Sequence, residues 1–483
     1  MADRTIYDEV RYSSYPYAQT HPDRLATVAV LHGLRAPDTR GARVLELGCG
    51  AGGNLIAMAA GSPGISALGV DLASEPIEEG RRTIAAVGLD NIELRQADVL
   101  DLTDGELGEF DYVLAHGVYA WVPPEVRDAL LAACRSHLTA DGLAYVSYNA
   151  HPGGHIRRML REAGQWYGRG EPDLVSRMGR AQELYRFLEW ARAGAPDWWG
   201  GMLEAVIGPF AHAPLYRLVH DDLGEFWDPV WFADFVDHAA RHRLAYVGDC
   251  DLGELLPGRV PDDVAERLEE LTGGDRIATE QVADILRLVF FRQSVVCRDS
   301  RTPAAAPEPR VLRELHVALR SGAPDDAPAP DGGGSATAAL LDSVLTLLRA
   351  RAPDTLAFAE LRAATGADPD ALAETLLAGF RAELLMLHAS PLVSGGADAE
   401  RPVASPLARW QARTEAQVTS LAYTAVHMEE PAARLLLTLL DGTRDRAAIR
   451  SEFAERTGVR LGADDLDANL EQLAQLFLLV PQA

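Results

Sequence analysis

Lysine is missing from the sequence, so all 45 of its basic residues are arginine. The 71 acidic residues outnumber them and leave a formal net charge of −26 at pH 7. Because affinity for nucleic acid comes from neutralising phosphates, this balance argues against a nucleic-acid backbone as the partner. An acidic surface favours basic partners instead. Replacement of lysine codons by arginine codons in a GC-rich genome is the simplest explanation of the bias.

Cysteine is scarce as well, with four residues in a chain of 483. None of their spacings is CxxC, which predicts reduced thiols without a disulfide framework or a cysteine zinc site. Long apolar runs are also missing, since none approaches the roughly twenty residues that span a bilayer. Residues 1–30 lack the basic-then-apolar order of a signal peptide. These absences predict a cytoplasmic protein with no membrane contact.

The most informative stretch runs from Arg43 to Asn54, where an apolar run breaks into glycines and resumes as a helix-forming sequence. A strand, a glycine turn and a helix N-terminus place backbone N–H groups beside a point that a ligand can approach closely. Glu46 precedes the turn, and two further apolar runs end at Asp71 and Asp98. Asp71 lies roughly twenty residues beyond the turn, where a ribose-binding acid belongs. The stretch therefore predicts a nucleotide-type cofactor.

Strands and helices alternate through the first 150 residues, as a doubly wound parallel sheet requires. Ligands of such sheets bind beyond the carboxyl ends of the strands. Loops 48–54, 71–72, 98–99 and 116–121 are expected to meet there. At 483 residues the chain is too long for one core, which predicts two to four domains.

The glycine spacing separates two classes of cofactor. The dinucleotide fingerprint is Gly-x-Gly-x-x-Gly, whereas this chain has Glu46-Leu-Gly48-Cys-Gly50-Ala-Gly52. That pattern resembles the first motif of class I S-adenosylmethionine (SAM) methyltransferases, with a dinucleotide as the alternative. The resemblance implies that Glu46 lies near the amino-acid end of SAM, that Asp71 takes the ribose hydroxyls and that Asp98 reaches the adenine amino group. The predicted cofactor-binding residues are Glu46, Gly48, Cys49, Gly50, Gly52, Asn54, Asp71, Leu72, Asp98, Val99, His116 and Gly117.

Segments along nearly the whole chain resemble class I methyltransferases that carry a methyltransferase regulatory domain. That group includes bacterial protein-lysine methyltransferases that modify an outer-membrane protein of rickettsiae. The segments are Tyr12–Leu25, Ala115–Pro124, Val146–Gly153, Phe226–Phe232, Pro406–Trp410 and Leu440–Arg446.

The resemblance implies an α/β fold with a doubly wound, Rossmann-like class I methyltransferase sheet over residues 1–300. Within it, residues 156–214 are a helical cap insertion. Residues 215–300 supply the regulatory segment and the last strands, which form an antiparallel hairpin.

Two further modules are predicted after this domain. Residues 301–335 are rich in Ala, Pro, Gly and Asp, which is typical of a linker, broken by one ordered stretch at Arg310–Leu319. Three short helices and a trailing strand predict winged-helix-like modules at 336–395 and at 400–483. Acidic residues in the last helix would repel a phosphate backbone, so a protein-binding or structural role is expected.

Transfer of a methyl group to an amine needs a neutral nucleophile in line with the methyl, and a desolvating aromatic site lowers an amine pKa. Aromatic residues near the cofactor loops are candidates for such a channel, with core packing as the alternative for each. His116, His151 and His155 are candidate bases, and no metal site is predicted from them because no carboxylate has matching spacing. The predicted catalytic residues are Tyr12, Tyr15, Tyr119, Trp121, Tyr148 and His155.

These features predict a SAM-dependent methyltransferase that acts on an amine of a basic protein or peptide, with a lysine side chain as the expected acceptor. The lysine-free sequence is compatible with this, since it excludes automethylation except at the N-terminus. Neither nucleic acid nor membrane is expected as a partner. The alternative is a ribosomal peptide or small-molecule natural product as substrate. The C-terminal module would then bind a leader peptide or serve assembly.

Overall fold

The computed structural model describes residues 15–102, 107–195, 197–214, 218–220, 226–251, 261–320 and 335–481. Seven strands form one central sheet. They are β1 (Arg43–Leu47), β2 (Ser66–Asp71), β3 (Ile92–Gln96), β4 (Phe110–Ala115), β5 (Leu138–Asn149), β6 (Leu244–Asp249) and β7 (Phe291–Arg298). Their order is β3-β2-β1-β4-β5-β7-β6.

The first five strands are parallel, and β7 runs antiparallel to both β5 and β6. Val44 in β1 pairs with Ala67 on one side and with Tyr112 on the other. Four of the five residues of β1 are buried, as a central strand covered on both faces requires. The predicted doubly wound sheet with an antiparallel hairpin at its end is confirmed.

Helices cover both faces of this sheet. Those of the first 300 residues are α1 (Pro22–Leu31), α2 (Gly53–Gly61), α3 (Ser74–Val87), α4 (Pro124–His137), α5 (Gly153–Gly168), α6 (Leu174–Arg192), α7 (Trp198–Ala211), α8 (Phe232–Arg241), α9 (Asp262–Thr272) and α10 (Arg276–Arg287). The bounds of α4 are those that the sequence predicts. The sequence predicts Asp23 as the cap of a helix that begins at Arg24; this was wrong, since His21 is the N-cap residue of α1 and its Nδ1 accepts from the backbone N–H of Asp23 at 3.2 Å.

The helical insertion is built from α5, α6 and α7, which pack around a small core of their own. Its tryptophans are not buried against the rest of the molecule: Trp166, Trp190 and Trp198 are 61%, 75% and 78% exposed. Their burial was the reason for predicting a cap over the cofactor cleft, so that reason was wrong. The insertion contacts the sheet domain through α5, where Arg157 and Arg161 lie over the ring of Trp121.

The first C-terminal module contains α11 (Ser335–Arg351), α12 (Phe358–Thr365) and α13 (Pro369–Arg381). Its small sheet has the strands β8 (His316–Leu319), β9 (Leu356–Ala357) and β10 (Leu385–His388), with β8 in the middle. The ordered stretch predicted at Arg310–Leu319 contains β8, which is paired on both sides, and residues 321–334 of the predicted linker lie outside the described residues. Leucines of this module share one continuous apolar core with α1, α2 and a face of the main sheet.

The second C-terminal module has the helices α14 (Pro406–Gln411), α15 (Pro431–Leu439), α16 (Arg446–Thr457) and α17 (Ala463–Gln475). A hairpin of β11 (Gln417–Thr419) and β12 (Ala425–His427), which the sequence did not predict, follows α14. The predicted trailing strand at 478–480 was wrong, since Leu479 forms an isolated bridge with Ala404. Within the described parts of the chain, no helix is long and apolar enough to cross a membrane.

A buried ionic network fastens α10 to the last two strands. Arg292 in β7 makes a bidentate pair with Asp284, with distances of 3.0 Å from Nε to Oδ2 and 2.7 Å from Nη2 to Oδ1. Its Nη1 lies 3.0 Å from Glu280 Oε2, which also accepts from the hydroxyl of Tyr246 at 2.8 Å. The guanidinium and the Asp284 carboxylate are 4% and 0% exposed, so each charge depends on the other.

Removal of Asp284 from this network should destabilise the sheet domain strongly, because Nε and Nη2 of the buried Arg292 guanidinium would lose their acceptor. We expect Asp284→Ala to cost about 3 kcal/mol or more, seen as a fall of several degrees in the calorimetric unfolding midpoint. The matched control is Arg267→Ala, which breaks an exposed pair with Glu270 and should change stability by less than about 0.5 kcal/mol. Equal midpoints for the two variants would contradict the prediction.

Candidate functional site

The glycine turn after β1 requires glycine at three positions, because φ is +76° at Gly48, +55° at Gly50 and +71° at Gly52. A Cβ on Gly48 would lie 2.5 Å from the Val118 side chain, and one on Gly52 would lie 2.8 Å from Leu94. A Cβ on Gly50 would meet no described atom within 4 Å. The turn is thus packed at its two ends and open at its middle, where a ligand can approach the backbone.

Asp71, at the end of β2, fastens this turn to its own loop. Its Oδ2 accepts from the N–H of Gly50 at 2.7 Å and its Oδ1 accepts from the N–H of Ala73 at 2.9 Å. The side chain of Leu72 beside it is 45% exposed.

The loop after β3 lies next to the loop after β2. Asp98 caps the short helical turn that begins at Val99, and its Oδ1 accepts from the N–H of Leu100 at 3.0 Å. The preceding residue, Ala97, donates its N–H to the carbonyl of Asp71 at 2.9 Å. Cys49, on the other side of the turn, has a buried thiol whose pKa burial raises well above its ordinary value, so it is not a nucleophile.

Glu46 in β1 has a buried carboxyl group, and only one of its two oxygens is hydrogen-bonded within the described residues. It is 3% exposed, and its Oε1 accepts from Nδ2 of Asn54 at 2.8 Å. Its Oε2 has no hydrogen-bond partner among the described residues. Burial, with a smaller contribution from the charge of Asp71, raises the Glu46 pKa to about 8 against the opposing effect of the Asn54 bond. A buried carboxyl oxygen without a partner suits a cationic or hydrogen-bond-donating group of a ligand.

The side-chain oxygen of Asn54 lies within hydrogen-bond distance of three donors from distant parts of the chain. Its Oδ1 lies 3.0 Å from the N–H of Tyr17, 3.1 Å from Oγ1 of Thr20 and 2.8 Å from the hydroxyl of Tyr423. Tyr423 comes from the β11–β12 hairpin of the second C-terminal module and is buried. Sequence reasoning missed all three partners, although the aromatic N-terminal run had marked Tyr17 as a residue that packs over something.

Tyr17 also covers His116, which follows β4, with the two ring centroids 3.9 Å apart. The Nδ1 of His116 lies 3.0 Å from the Tyr145 hydroxyl and 3.2 Å from Oγ of Ser147. Burial lowers the His116 pKa to about 4, so the ring is neutral at pH 7. Gly117 donates its N–H to the same Ser147 hydroxyl at 2.8 Å.

The predicted aromatic channel is not formed as a unit. Tyr119 and Tyr148 are 2% and 1% exposed, and both pack against Phe235 within the sheet core. The hydroxyl of Tyr148 bonds to Ser294 at 3.0 Å. Since neither ring reaches open space, the prediction that these two tyrosines line a channel was wrong and core packing accounts for them.

The remaining predicted catalytic residues are spread around the site. Trp121 is half-buried and its ring centroid lies 6.2 Å from that of Trp227. Tyr15 is 38% exposed at the start of the described chain, and Tyr12 lies outside the described residues. His155 is exposed and stacks on His151, with the ring centroids 3.9 Å apart.

Three family models match this chain. A methyltransferase domain matches residues 45–144, and a predicted methyltransferase regulatory domain matches residues 214–298. The C-terminal winged helix domain of PKMT matches residues 400–460, which confirms the predicted winged-helix character of the second module.

Two uncharacterized proteins of Rickettsia prowazekii (strain Madrid E) are similar to it. One is 35% identical over 299 residues, which are 62% of this chain and 54% of that protein, so this chain spans about half the length of that relative. The other is 32% identical over 242 residues, which are 50% of this chain and 95% of that protein.

The solved structure of PKMT2 from Rickettsia typhi has the same fold, with a TM-score of 0.83 at 24% identity over 97% of this chain and 100% of that one. The same protein, solved in complex with AdoHcy, gives a TM-score of 0.81. The match includes both the sheet domain and the C-terminal modules.

The raised pKa of Glu46 predicts a pH dependence of stability without ligand. Between its unfolded pKa near 4.5 and its folded pKa of about 8, the folded chain holds a proton that the unfolded chain has lost. Stability therefore falls as pH rises through this window and levels off above it. Glu46→Gln removes this titration. The unfolding midpoint of the variant, relative to that of the unsubstituted chain, should therefore rise from pH 5 to pH 8.

The control for this measurement is Glu125→Gln in the exposed first turn of α4. Its midpoint should keep a constant difference from that of the unsubstituted chain over the same range. A Glu46→Gln midpoint that also stays at a constant difference would show that Glu46 does not bind the proton.

Proposed function

We propose that this chain, which belongs to the class I SAM-dependent methyltransferases that carry a methyltransferase regulatory domain, methylates an amine of a protein or peptide. The proposed acceptor is a lysine side chain. The observation that carries the proposal is the arrangement of an unpaired buried carboxyl oxygen, an open glycine turn and an acid at the end of β2. A winged-helix module built into the same molecule supports a macromolecular substrate.

The residues at the strand ends fit SAM. The Oε2 of Glu46 has no hydrogen-bond partner among the described residues and suits the ammonium group at the amino-acid end of the cofactor. The carboxylate of Asp71, which lies at the end of β2 and bonds to the N–H of Gly50, suits the ribose hydroxyls, and Gly50 leaves space for the cofactor against the backbone. Asp98 and the segment from His116 to Gly117 are the proposed adenine-binding residues. When bound, SAM would supply a methyl group on a sulfonium: a neutral amine would bond to the methyl carbon as the carbon–sulfur bond breaks, with S-adenosylhomocysteine as the leaving group.

The chain's own contribution is mainly positioning and exclusion of water. Tyr17 and Thr20 hold the N-terminal segment over Asn54 and His116, which would seal one side of a bound cofactor. His116 is neutral, with its Nδ1 within reach of two hydroxyl groups, so we propose it as a wall of the pocket and not as a base. His155, exposed in the first turn of α5, remains the proposed base.

A lysine-bearing substrate fits the chemistry of the surface. The net charge of −26 would attract a basic partner, and the half-buried Trp121 and exposed Tyr15 offer rings for a cationic product. The similarity to PKMT2 and to the PKMT winged-helix model favours lysine as the acceptor. We also propose a cytoplasmic location, since all four cysteines are free thiols.

A second candidate substrate is a ribosomal peptide or another natural product. It is favoured by the hairpin contact between Tyr423 and Asn54, because a module that binds a leader peptide would then be coupled directly to the cofactor turn. A small-molecule substrate would leave the second module with an assembly role. The lysate experiment below distinguishes these candidates.

Cofactor binding should depend on Asp71. We expect Asp71→Ala to weaken the binding of S-adenosylhomocysteine by about 2 kcal/mol or more, which is roughly 30-fold, because charge-assisted hydrogen bonds are lost. Isothermal titration calorimetry measures this change. The control is Asp90→Ala, an exposed acid before β3 at the opposite end of the sheet, which should leave the affinity unchanged. Unchanged affinity in the Asp71 variant would place the ribose elsewhere.

The substrate class is tested with radiolabelled SAM and the purified enzyme, added to a lysate of a strain that lacks its gene. We expect base-stable label in protein, and hydrolysis of that protein should release methylated lysine. Base-labile label would indicate a carboxylate ester and reject an amine acceptor. Label that passes entirely through a small-molecule filter would reject the protein substrate and support the alternative.

A further inference from the structure

A second group of ligand-type side chains lies outside the cofactor site, where α4 packs beside the regulatory helix α8. His238 is in α8 and His242 follows directly after its last residue, so the two rings are four residues apart and share one face. Asp128 faces them from α4. Its Oδ1 lies 3.2 Å from Nε2 of His238 and 2.8 Å from Nε2 of His242.

The three ligand atoms converge on one point. They all lie within 4.8 Å of one another. A tetrahedral zinc ion with bonds of about 2.0–2.1 Å keeps its ligand atoms about 3.3 Å apart, which is close to the two distances from Asp128 Oδ1. The two imidazoles are 12% and 16% exposed, whereas the carboxylate is 63% exposed. The rings are therefore held by the protein, and the solvent side is free for a further ligand.

A hydrogen bond to the second ring nitrogen of His238 fixes the orientation of its imidazole. The hydroxyl of Tyr119 lies 2.7 Å from Nδ1 of His238. Tyr119 is fixed in turn by edge-to-face packing on Phe235 and by the guanidinium of Arg127 over its ring. Metal-binding histidines commonly use the second ring nitrogen in this way, because such a bond sets the tautomer and the ring orientation. This hydrogen bond gives the buried Tyr119 a role in positioning His238, in place of the predicted role in a substrate channel, which was wrong.

We propose that Asp128, His238 and His242 form a binding site for a divalent transition-metal ion of the zinc class. Two imidazoles and one carboxylate suit Zn²⁺ and its spectroscopic substitute Co²⁺, and water completes the coordination. The ion ties α4 of the methyltransferase domain to α8 of the regulatory domain. Through His238 it also holds Tyr119, which lies on the loop that follows Gly117.

The sequence analysis predicted no metal site because it considered the cysteines and the histidines of the strand-end loops. The spacing of His238 and His242 is visible in the sequence, but their partner Asp128 precedes them by more than 100 residues. The fold supplies this neighbour, since α4 and α8 lie on the same face of the sheet.

The test is metal binding by the full, untagged chain after treatment with a chelator and desalting. Calorimetry with zinc chloride should show one saturable site in the micromolar range or tighter, and cobalt chloride should give the visible absorption of a low-symmetry site. Asp128→Asn and His242→Ala should each lower the affinity by about 100-fold or more, whereas Tyr119→Phe should lower it by about 10-fold. Zinc should raise the unfolding midpoint of the unsubstituted chain but not of the Asp128 variant.

Two controls keep the proposal falsifiable. His212→Ala removes an exposed imidazole that pairs with Glu189 in the helical insertion, and it should bind zinc as the unsubstituted chain does. Circular dichroism in chelator verifies that each variant is folded. The proposal is overturned if the folded chain binds no zinc in the micromolar range or if the Asp128 and His242 variants keep full affinity. It is equally overturned if the loss follows His155→Ala, which would assign the ion to the stacked pair at the start of α5.

Discussion

The side-chain amide of Asn54 is the contact on which the candidate site depends. Its nitrogen holds the buried carboxyl of Glu46, and its oxygen receives the N-terminal segment and the hydroxyl of Tyr423. The residue is 2% exposed, so any partner that left would leave a buried polar atom unpaired. One amide thus sets the position of the cofactor turn relative to a lid that precedes it and a module that follows it far along the chain.

The C-terminal modules pack against the sheet domain, and one of them contacts the candidate site directly. The first is not tethered by a linker, since β8 is the middle strand of its sheet and its leucines share a core with α1. Asp23 at the start of α1 reaches the same module through His388 and the N–H of Ser390. The second module, which matches the winged-helix model, reaches the glycine turn through Tyr423. Its acidic last helix fits this architectural use better than contact with a phosphate backbone.

The features that the sequence predicted correctly are the strands and helices whose positions are set by short stretches of neighbouring residues. The apolar runs that end at the glycine turn, at Asp71 and at Asp98 predicted strands that are present as β1, β2 and β3, and the helix predicted at Pro124–His137 is α4. The sequence could not show which aromatic rings are covered, because Tyr148 at a strand end has the same chemistry in a core or in a channel. It also could not show β8, a strand of four residues in an Ala- and Pro-rich segment. The partners of Asn54 and of His238 depend on tertiary neighbours alone.

The Tyr423 hydroxyl meets the amide of a residue that precedes it by 369 positions. Ribosomes make residue 54 first, so the cofactor turn leaves the exit tunnel long before its final partner has been synthesised. The sheet can form during translation from its own strands, but the bonding of the turn is completed only when the β11–β12 hairpin has folded. A nascent chain arrested before that hairpin would lack the Tyr423 hydroxyl that bonds to Asn54, so the second C-terminal module completes the hydrogen bonding of a turn near the start of the chain.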